Sequence, residues 1–237
     1  METKFNYKNF YNNYFRQHLQ EGKETAGEPE NSFEYITSLN INKDATILDI
    51  GTFAGFLPAR LYQNGYLNVK GIDIAEEAIL YGQKKYPFLK DNLISFAGQK
   101  LPFPDNCFDV ILMFDVIEHI PNIKTFLEEE VGRVLKKDGL LIFQTPNKIT
   151  NIVWTLCSQK KLSTDEHCSL QTLPSLKKLL RDSSFTDIKI EKNNLRTELN
   201  KEKITKKIGS FFLILLPIFN LLPLSMFPNF WGTAKKS

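Results

Sequence analysis

The stretch Ile47-Leu-Asp-Ile-Gly-Thr-Phe-Ala-Gly55 decides the fold of this chain. Its apolar beginning predicts a short buried strand, and two glycines follow in the spacing GxxxG. Gly51 and Gly55 allow the backbone to turn tightly and to approach a ligand, and the helix predicted next offers free N–H groups. Because ligands of α/β sheets bind at the carboxyl ends of strands, this loop is the first candidate for a binding site.

Strands and helices alternate on the C-terminal side of this stretch. The sequence predicts strands over 46–50, 68–73, 92–97, 108–114 and 140–144, with helices over 56–64, 75–86 and 121–137. The run Val110–Phe114 is apolar at every position, which is typical of a central parallel strand covered on both faces. The alternation therefore predicts an open, doubly wound α/β sheet with right-handed crossovers.

Both ends of the chain depart from this alternation. After residue 147 the pattern loosens, and only a helix over 173–182 and strands over 186–192 and 230–234 are predicted. We expect one domain with four parts: an N-terminal helical cap (1–40), a core (41–192), an apolar insertion (193–229), and a last strand and tail (230–237).

Composition excludes several classes of protein. The 237 residues are 42% hydrophobic and 24% charged, the mixture of a globular protein rather than of collagen or a disordered chain. The net charge of +3 gives no argument for a nucleic-acid partner, and we expect none. The 3 cysteines, none in CxxC spacing, disfavour a disulfide scaffold or a zinc ribbon. The first fifteen residues lack the apolar core of a signal peptide, so a cytoplasmic location is expected.

Two carboxylates accompany the glycine loop. Asp73 ends the second predicted strand, where a carboxylate can accept hydrogen bonds from both hydroxyls of a ribose. Asp49 would repel a pyrophosphate but attract an ammonium or sulfonium group. The spacing also differs from the GxGxxG of dinucleotide sites. These features favour S-adenosylmethionine over a nicotinamide cofactor, and over the simpler interpretation of turn glycines and a helix N-cap.

Three further stretches make the pattern specific. They are Leu101-Pro-Phe-Pro-Asp-Asn-Cys-Phe-Asp109, Asp115-Val-Ile-Glu-His-Ile-Pro121 and Val134-Leu-Lys-Lys-Asp-Gly-Leu-Leu-Ile142. With the glycine loop they resemble, in order, the motifs of class I S-adenosylmethionine-dependent methyltransferases, especially the small-molecule enzymes typified by quinone biosynthesis. The resemblance implies a seven-stranded Rossmann-like sheet, mostly parallel with the last strand antiparallel. It also implies transfer of a methyl group to an oxygen, nitrogen or carbon of a small or lipid-linked acceptor.

The resemblance also implies which residues bind the cofactor. They are Asp49, Gly51, Thr52, Phe53, Gly55, Asp73, Ile74, Gly98, Gln99, Phe114 and Asp115. Asp73 would hold the ribose and Ile74 would pack on the adenine. Phe53 replaces the middle glycine of the usual loop, and Ala97-Gly98 replaces an acid that contacts the adenine amino group, which leaves Gln99 or a backbone group for that contact. A non-catalytic relative with the same fold is therefore the alternative.

Histidines are the candidate catalytic bases, because a hydroxyl or amine acceptor loses a proton and calls for a group with a near-neutral pKa. His119 follows the fourth strand and is the first candidate, with simple packing as its alternative role. His167 is the second candidate, and His18 is expected at the surface. Adjacent residues such as Glu118 and His119 rarely converge on one ion, so we predict no metal site.

The apolar run 211–227 has no charge and is interrupted by Pro217 and Pro223, so it does not predict a membrane span. It forms either a pair of buried helices or a hydrophobic lid at a membrane surface, flanked by the lysines of 201–207. The second alternative predicts a peripheral membrane contact through 201–228 and a lipid-like acceptor. The aromatic residues of the N-terminal cap also favour an apolar acceptor, and the oligomeric state stays open.

Overall fold

The computed structural model describes residues 6–25, 27, 29–98, 100–157, 167–192 and 223–237. Its strands are β1 (Ile47–Ile50), β2 (Val69–Asp73), β3 (Leu93–Ser95), β4 (Phe108–Phe114), β5 (Leu135–Pro146), β6 (Phe185–Glu191) and β7 (Asn229–Lys236). They form a seven-stranded sheet in the order β3-β2-β1-β4-β5-β7-β6. Neighbouring strands run parallel except where β7 pairs with β5 and β6. The predicted α/β fold, with its antiparallel last strand, is confirmed.

Helices pack on both faces of this sheet. They are α1 (Tyr7–Gln20), α2 (Pro29–Ser38), α3 (Phe56–Gln63), α4 (Glu76–Lys85), α5 (Ile123–Thr125), α6 (Gly132–Val134), α7 (Lys148–Cys157) and α8 (Leu173–Asp182). A π-helical segment, Phe126–Val131, joins α5 to α6. The strand order reverses at β1, since β2 lies on one side of it and β4 on the other. Such a switch point opens a crevice at the carboxyl ends of the strands, where ligands bind in sheets of this kind.

Strand β4 shows why its sequence is apolar at every position. Ile111 and Met113 belong to the hydrophobic core on one face of the sheet, whereas Val110 and Leu112 belong to the core on the other face. Successive side chains of a strand point to opposite faces, so a strand covered on both sides needs apolar residues throughout. This burial fixes β4, and with it the turn that follows, at the centre of the molecule.

Helix α1 is attached to the N-terminus of α4. Asn12 Oδ1 accepts the backbone N–H of Glu77 at 3.2 Å, and Asn12 itself is buried. The N-cap residue of α4 is Ala75, whose side chain cannot cap, so Asn12 supplies the missing acceptor from another helix. Arg16 forms an ion pair with the side chain of Glu77. These contacts hold the N-terminal cap against the edge of the binding crevice.

The structure differs from the predictions at the end of one helix and in containing one helix that the sequence does not predict. The helix predicted over 121–137 ends at Val134, because Leu135 is fully buried and already pairs with Phe108 at the start of β5. Helix α7 was not predicted from the sequence. Its apolar residues Ile149, Val153 and Leu156 are 51%, 54% and 69% exposed, so they do not form the stripe facing the core by which an amphipathic helix is recognised.

The predicted apolar lid is only partly visible. Residues 193–222, which include the lysine-rich stretch and most of the apolar run, lie outside the described residues. The description resumes with a short turn, Leu224–Met226, that leads into β7. None of the helices in the described part of the chain combines the length and the apolar character that crossing a bilayer requires.

Candidate active site

A cavity of about 1300 Å³ opens at the carboxyl ends of β1, β2 and β4. The predicted site residues that line it are Asp49, Gly51, Thr52, Phe53, Asp73, Ile74, Gly98, Phe114, Asp115, His119 and His167. Gly55 does not line the cavity; it is the N-cap residue of α3, where its φ of 75° is left-handed and a Cβ atom would lie 2.6 Å from Leu93 Cδ1. Gln99 lies outside the described residues.

The loop after β1 is held in an unusual backbone conformation. Gly51 and Phe53 have left-handed φ angles of 80° and 53°. A Cβ atom on Gly51 would lie 2.3 Å from Val116 Cγ2, so both the angle and the space require glycine there. Asp73 supports the loop from β2, because its Oδ2 accepts the N–H of Phe53 at 2.7 Å and its Oδ1 accepts the N–H of Ala75 at 2.7 Å. Asp73 and the loop after β1 are therefore joined by hydrogen bonds.

Phe53 connects this loop to the N-terminal cap. Its ring centroid lies 5.3 Å from that of Phe15 and 6.1 Å from that of Tyr14, both on α1. The ring of His18 lies 6.2 Å away and also contacts Tyr14, at 4.0 Å. His18 was expected at the surface, but it is half-buried in this aromatic cluster. An aromatic residue in place of the usual glycine thus gives α1 an apolar anchor over the loop.

Asp49 lines the cavity and is buried. Burial raises the pKa of Asp49 to about 7, and the negative charge of Asp73 adds to the effect. Burial also raises the pKa of Asp73, although hydrogen bonds from the backbone of Ala75 and Phe53 oppose that rise. A cationic group bound nearby would favour the ionised carboxylates. The carboxyl groups of Asp49 and Asp73 therefore fit a ligand with ribose hydroxyls and a positively charged centre.

The two predicted histidines also line the cavity. The ring centroids of His119 and His167 are 4.9 Å apart, and Tyr11 of α1 contacts His119 at 5.8 Å. The structure therefore brings together two residues that lie far apart in the sequence.

Glu118 is a buried carboxyl group beside these rings, and sequence reasoning weighed it only as a metal ligand. Its side chain is 1% exposed, and its Oε2 accepts the hydroxyl hydrogen of Thr145 at 2.9 Å. Its Oε1 lies 3.7 Å from His119 Nε2. Burial, together with the negative charge of Asp115, raises the pKa of Glu118 well above its usual value. In the sequence, only the position of Glu118 directly before His119 points to a role at the site. Nothing in the sequence indicates its contact with Thr145.

Asp115 also lines the cavity. It follows β4 with a left-handed φ of 52°, and its N–H donates to Gln144 Oε1 at 3.0 Å. The linker between α1 and α2 packs against it, since a Cβ on Gly27 would lie 2.8 Å from Asp115 Oδ2. Among the described residues, no group of three or more His, Cys, Asp or Glu side chains is arranged to hold a metal ion.

Comparison with known proteins identifies the central part of the chain. Residues 48–143 match the family model of the methyltransferase domain. A probable S-adenosylmethionine-dependent methyltransferase of Mycobacterium tuberculosis is 38% identical over 82 residues, which are 35% of this chain and 29% of that protein. The ubiquinone biosynthesis O-methyltransferase of Rickettsia prowazekii is 35% identical over 106 residues, 43% of this chain and 40% of that protein. The matches thus span less than half the length of these curated relatives, and they confirm the resemblance found in the sequence.

Solved structures share the fold over nearly the whole chain. A possible histamine N-methyltransferase of Thermotoga maritima superposes with a TM-score of 0.63 at 16% identity, covering 98% of both chains. The [4+2]-cyclase SpnF gives a TM-score of 0.67 at 15% identity, covering 97% of this chain and 94% of that one. At such identities the likeness establishes a common fold.

Proposed function

On the premise that residues 48–143 form a methyltransferase domain, we propose that this protein transfers the methyl group of S-adenosylmethionine to a small or lipid-linked acceptor. One observation carries the proposal. A single cavity is lined both by the carboxyl groups of Asp49 and Asp73 and by the rings of His119 and His167. Its volume of about 1300 Å³ exceeds that of common single-ligand pockets and suits a cofactor and an acceptor together.

The part of the cavity around Asp49 and Asp73 would hold the cofactor. Each oxygen of Asp73 accepts one backbone N–H and keeps a further lone pair for a ribose hydroxyl. Asp49 attracts a cationic group, and Ile74 and Phe96 supply apolar walls for a base. When bound there, S-adenosylmethionine supplies a methyl group on a positively charged sulfur, which is a good leaving group.

The part of the cavity around His119 and His167 would receive the acceptor. His119 takes the proton that an acceptor hydroxyl or amine loses, and His167 lies beside it as the second group able to do so. Tyr11 of α1 also lines the cavity and packs against the His119 ring, so it adds an apolar wall for the acceptor. Alignment of the acceptor with the methyl group supplies much of the rate, because it replaces a bimolecular encounter by a positioned reaction.

Calorimetric titration with S-adenosylhomocysteine tests the cofactor assignment. The wild-type protein is expected to bind it, and Asp73→Ala and Gly51→Val are expected to weaken binding at least tenfold. Asp91→Ala is the matched control, because Asp91 is exposed. Unchanged binding in the first two variants would overturn the assignment. Turnover of methyl-labelled cofactor with candidate phenols, amines and lipid extracts then separates an enzyme from a non-catalytic relative, which would bind but not turn over.

A second proposal is that the surface around α7 contacts a membrane. Ile149, Val153 and Leu156 are spaced so that they share one face of α7, and each is more than half exposed. Exposed Met226 extends this surface, since Asn147, just before α7, donates to the carbonyl oxygens of Ser225 and Phe227 at 2.8 Å. Exposed apolar side chains of this kind suit the headgroup region of a bilayer.

The same surface adjoins the cavity, because Pro146 and Asn151 line it. A lipid-linked acceptor would then enter the cavity from the membrane. Sedimentation of the full chain with vesicles of phosphatidylcholine and phosphatidylserine tests this contact. The triple change Ile149→Ser, Val153→Ser and Leu156→Ser is expected to abolish binding, and the matched control Leu67→Ser, Leu80→Ser and Phe88→Ser, exposed elsewhere, is expected to retain it. Equal binding of both triple variants would contradict the contact.

A further inference from the structure

The segment that carries His167 is attached on both sides of His119. The N–H of Ser169 donates to the carbonyl oxygen of Glu118 at 2.9 Å, and its hydroxyl donates to the carbonyl oxygen of Ile120 at 2.6 Å. The two acceptors are the immediate neighbours of His119 in the chain. One serine therefore fixes the separation of the two imidazole rings, which belong to distant parts of the sequence.

The side chain of Glu118 supports the same pair from below. Thr145, fully buried on β5, donates its hydroxyl hydrogen to Glu118 Oε2, so the carboxyl group is anchored to the central sheet. The other oxygen, Oε1, is turned toward His119 Nε2 at 3.7 Å. A buried carboxyl anchored in this way places its second oxygen beside the imidazole, where a negative charge increases the affinity of the ring for a proton.

We propose that Glu118 and Ser169 are positioning residues: Ser169 docks His167 on His119, and Glu118 orients His119 and increases its affinity for a proton. The inference rests on the proposed function only for the source of the proton. In methyl transfer, the O–H or N–H bond of the acceptor breaks, and its proton moves to the nitrogen of His119 that does not face Glu118. The electron pair stays on the acceptor atom, and the Glu118 carboxylate offsets the charge of the imidazolium.

Several groups surround the Glu118 carboxyl and influence its ionisation. Asp115 opposes its ionisation, Thr145 favours it, and His119 faces it directly, with His167 and Tyr11 behind that ring. Since Glu118 Oε1 and His119 Nε2 are 3.7 Å apart, a charge on either group changes the proton affinity of the other. Removal of the acid changes how His119 titrates, which a purely structural role for Glu118 would not do.

The test is an NMR titration of the histidine rings in the full chain. In Glu118→Gln the apparent pKa of His119 is expected to fall by about one unit, because a nearby carboxylate stabilises the imidazolium. Glu128→Gln is the control, since Glu128 is exposed and pairs with Lys124 instead. If Glu118→Gln does not fold, Thr145→Val removes the anchor of the carboxyl group with little change of volume and is expected to shift the same titration. An unchanged titration of His119 would overturn the role of Glu118.

Ser169→Ala tests the docking of His167. Loss of the hydroxyl bond to Ile120 is expected to weaken the through-space coupling between the two imidazole rings, although the backbone bond to Glu118 remains, whereas the exposed-site control Ser38→Ala leaves the coupling unchanged. An undiminished coupling in Ser169→Ala would overturn the role of the Ser169 hydroxyl. These measurements need neither cofactor nor acceptor, so their failure is distinct from a failure to bind S-adenosylhomocysteine. Once an acceptor is known, Glu118→Gln is expected to lower kcat and to move the ascending limb of its pH profile to lower pH, with the KM of the cofactor unchanged.

Discussion

The backbone N–H of Phe53 donates to Asp73 Oδ2 at 2.7 Å, which ties the loop after β1 to the end of β2. The bond holds Phe53 in its left-handed conformation and directs its ring under α1, where Phe15 and Tyr14 pack on it. The carboxylate suited to a ribose thus also determines how the N-terminal cap is seated. We therefore expect a ligand bound to Asp73 to stabilise the packing of the cap on Phe53.

Changes at Phe53 separate backbone strain from packing. Phe53→Ala keeps the left-handed strain and loses the aromatic contacts, whereas Phe53→Gly loses the contacts but relieves the strain. Both variants are expected to be less stable than the wild type, with Phe53→Ala lower than Phe53→Gly by about 1 kcal/mol in free energy of unfolding. Urea denaturation measures the free energies of unfolding of the wild type and the two variants. Phe88→Ala, at an exposed aromatic residue, is the control. The reverse order would contradict the account of the loop.

Asn12 is expected to stabilise α4 although it belongs to α1. Asn12→Ala removes the acceptor for the N–H of Glu77, and such a loss at a helix N-terminus costs about 1 kcal/mol. Asn13→Ala, at an exposed position next to it, is the matched control and is expected to have a smaller effect. Hydrogen exchange at Glu77 reports the cap directly. Equal protection of that amide in the two variants would show that Asn12 does not cap α4.

Gly82 is expected to tolerate no side chain, despite its place inside α4. A Cβ there would lie 2.3 Å from the carbonyl oxygen of Ala54, so α4 would have to move away from the loop after β1. Alanine gains about 1 kcal/mol in helix propensity, but the displacement of a packed helix costs more. Gly82→Ala is therefore expected to lower both the unfolding midpoint and the affinity for S-adenosylhomocysteine. Gly132→Ala, where the nearest atom is 3.2 Å away, is the control.

The features that the sequence predicted depend on local patterns. The apolar run of β4 and the glycine spacing after β1 express burial and backbone geometry at the residues themselves, so they are legible without the fold. The contact of Asn12 with α4 and the docking of Ser169 beside His119 depend on which elements become neighbours in space. No periodicity encodes such contacts, which explains why the two histidines were candidates while their supports were missed.

Helix boundaries failed for a related reason. Lys136, Lys137 and Gly139 are typical of a helix C-terminus, yet Leu135 already pairs with Phe108 because its burial in the sheet outweighs local propensity. The outward-facing apolar residues of α7 were unrecognised because sequence patterns assume that apolar side chains face the core. The misjudged segments are those in which tertiary or external contacts override the local pattern.

Asp49 is expected to make cofactor binding depend on pH. Because its pKa in the folded protein is about 7, Asp49 is largely protonated below that pH, and binding of the cationic S-adenosylmethionine then requires release of a proton. The dissociation constant is therefore expected to fall by up to about tenfold between pH 6 and 8 and to change little above pH 8. Calorimetry in buffers of different ionisation enthalpy measures the proton released. Asp49→Asn is expected to bind more weakly at pH 8 and to lose this pH dependence.

The same residue gives a second signature in the protein without cofactor. The folded-state pKa of Asp49 is raised from 3.8 to about 7, so the folded chain binds more protons than the unfolded chain between these values. The contribution of Asp49 to stability is therefore greatest below pH 3.8, declines as the pH rises to about 7, and is constant above that. Asp49→Asn removes this decline, so its free energy of unfolding relative to the wild type is expected to be higher at pH 8 than at about pH 5. A difference between wild type and variant that does not change with pH would show that Asp49 keeps an ordinary pKa in the folded protein.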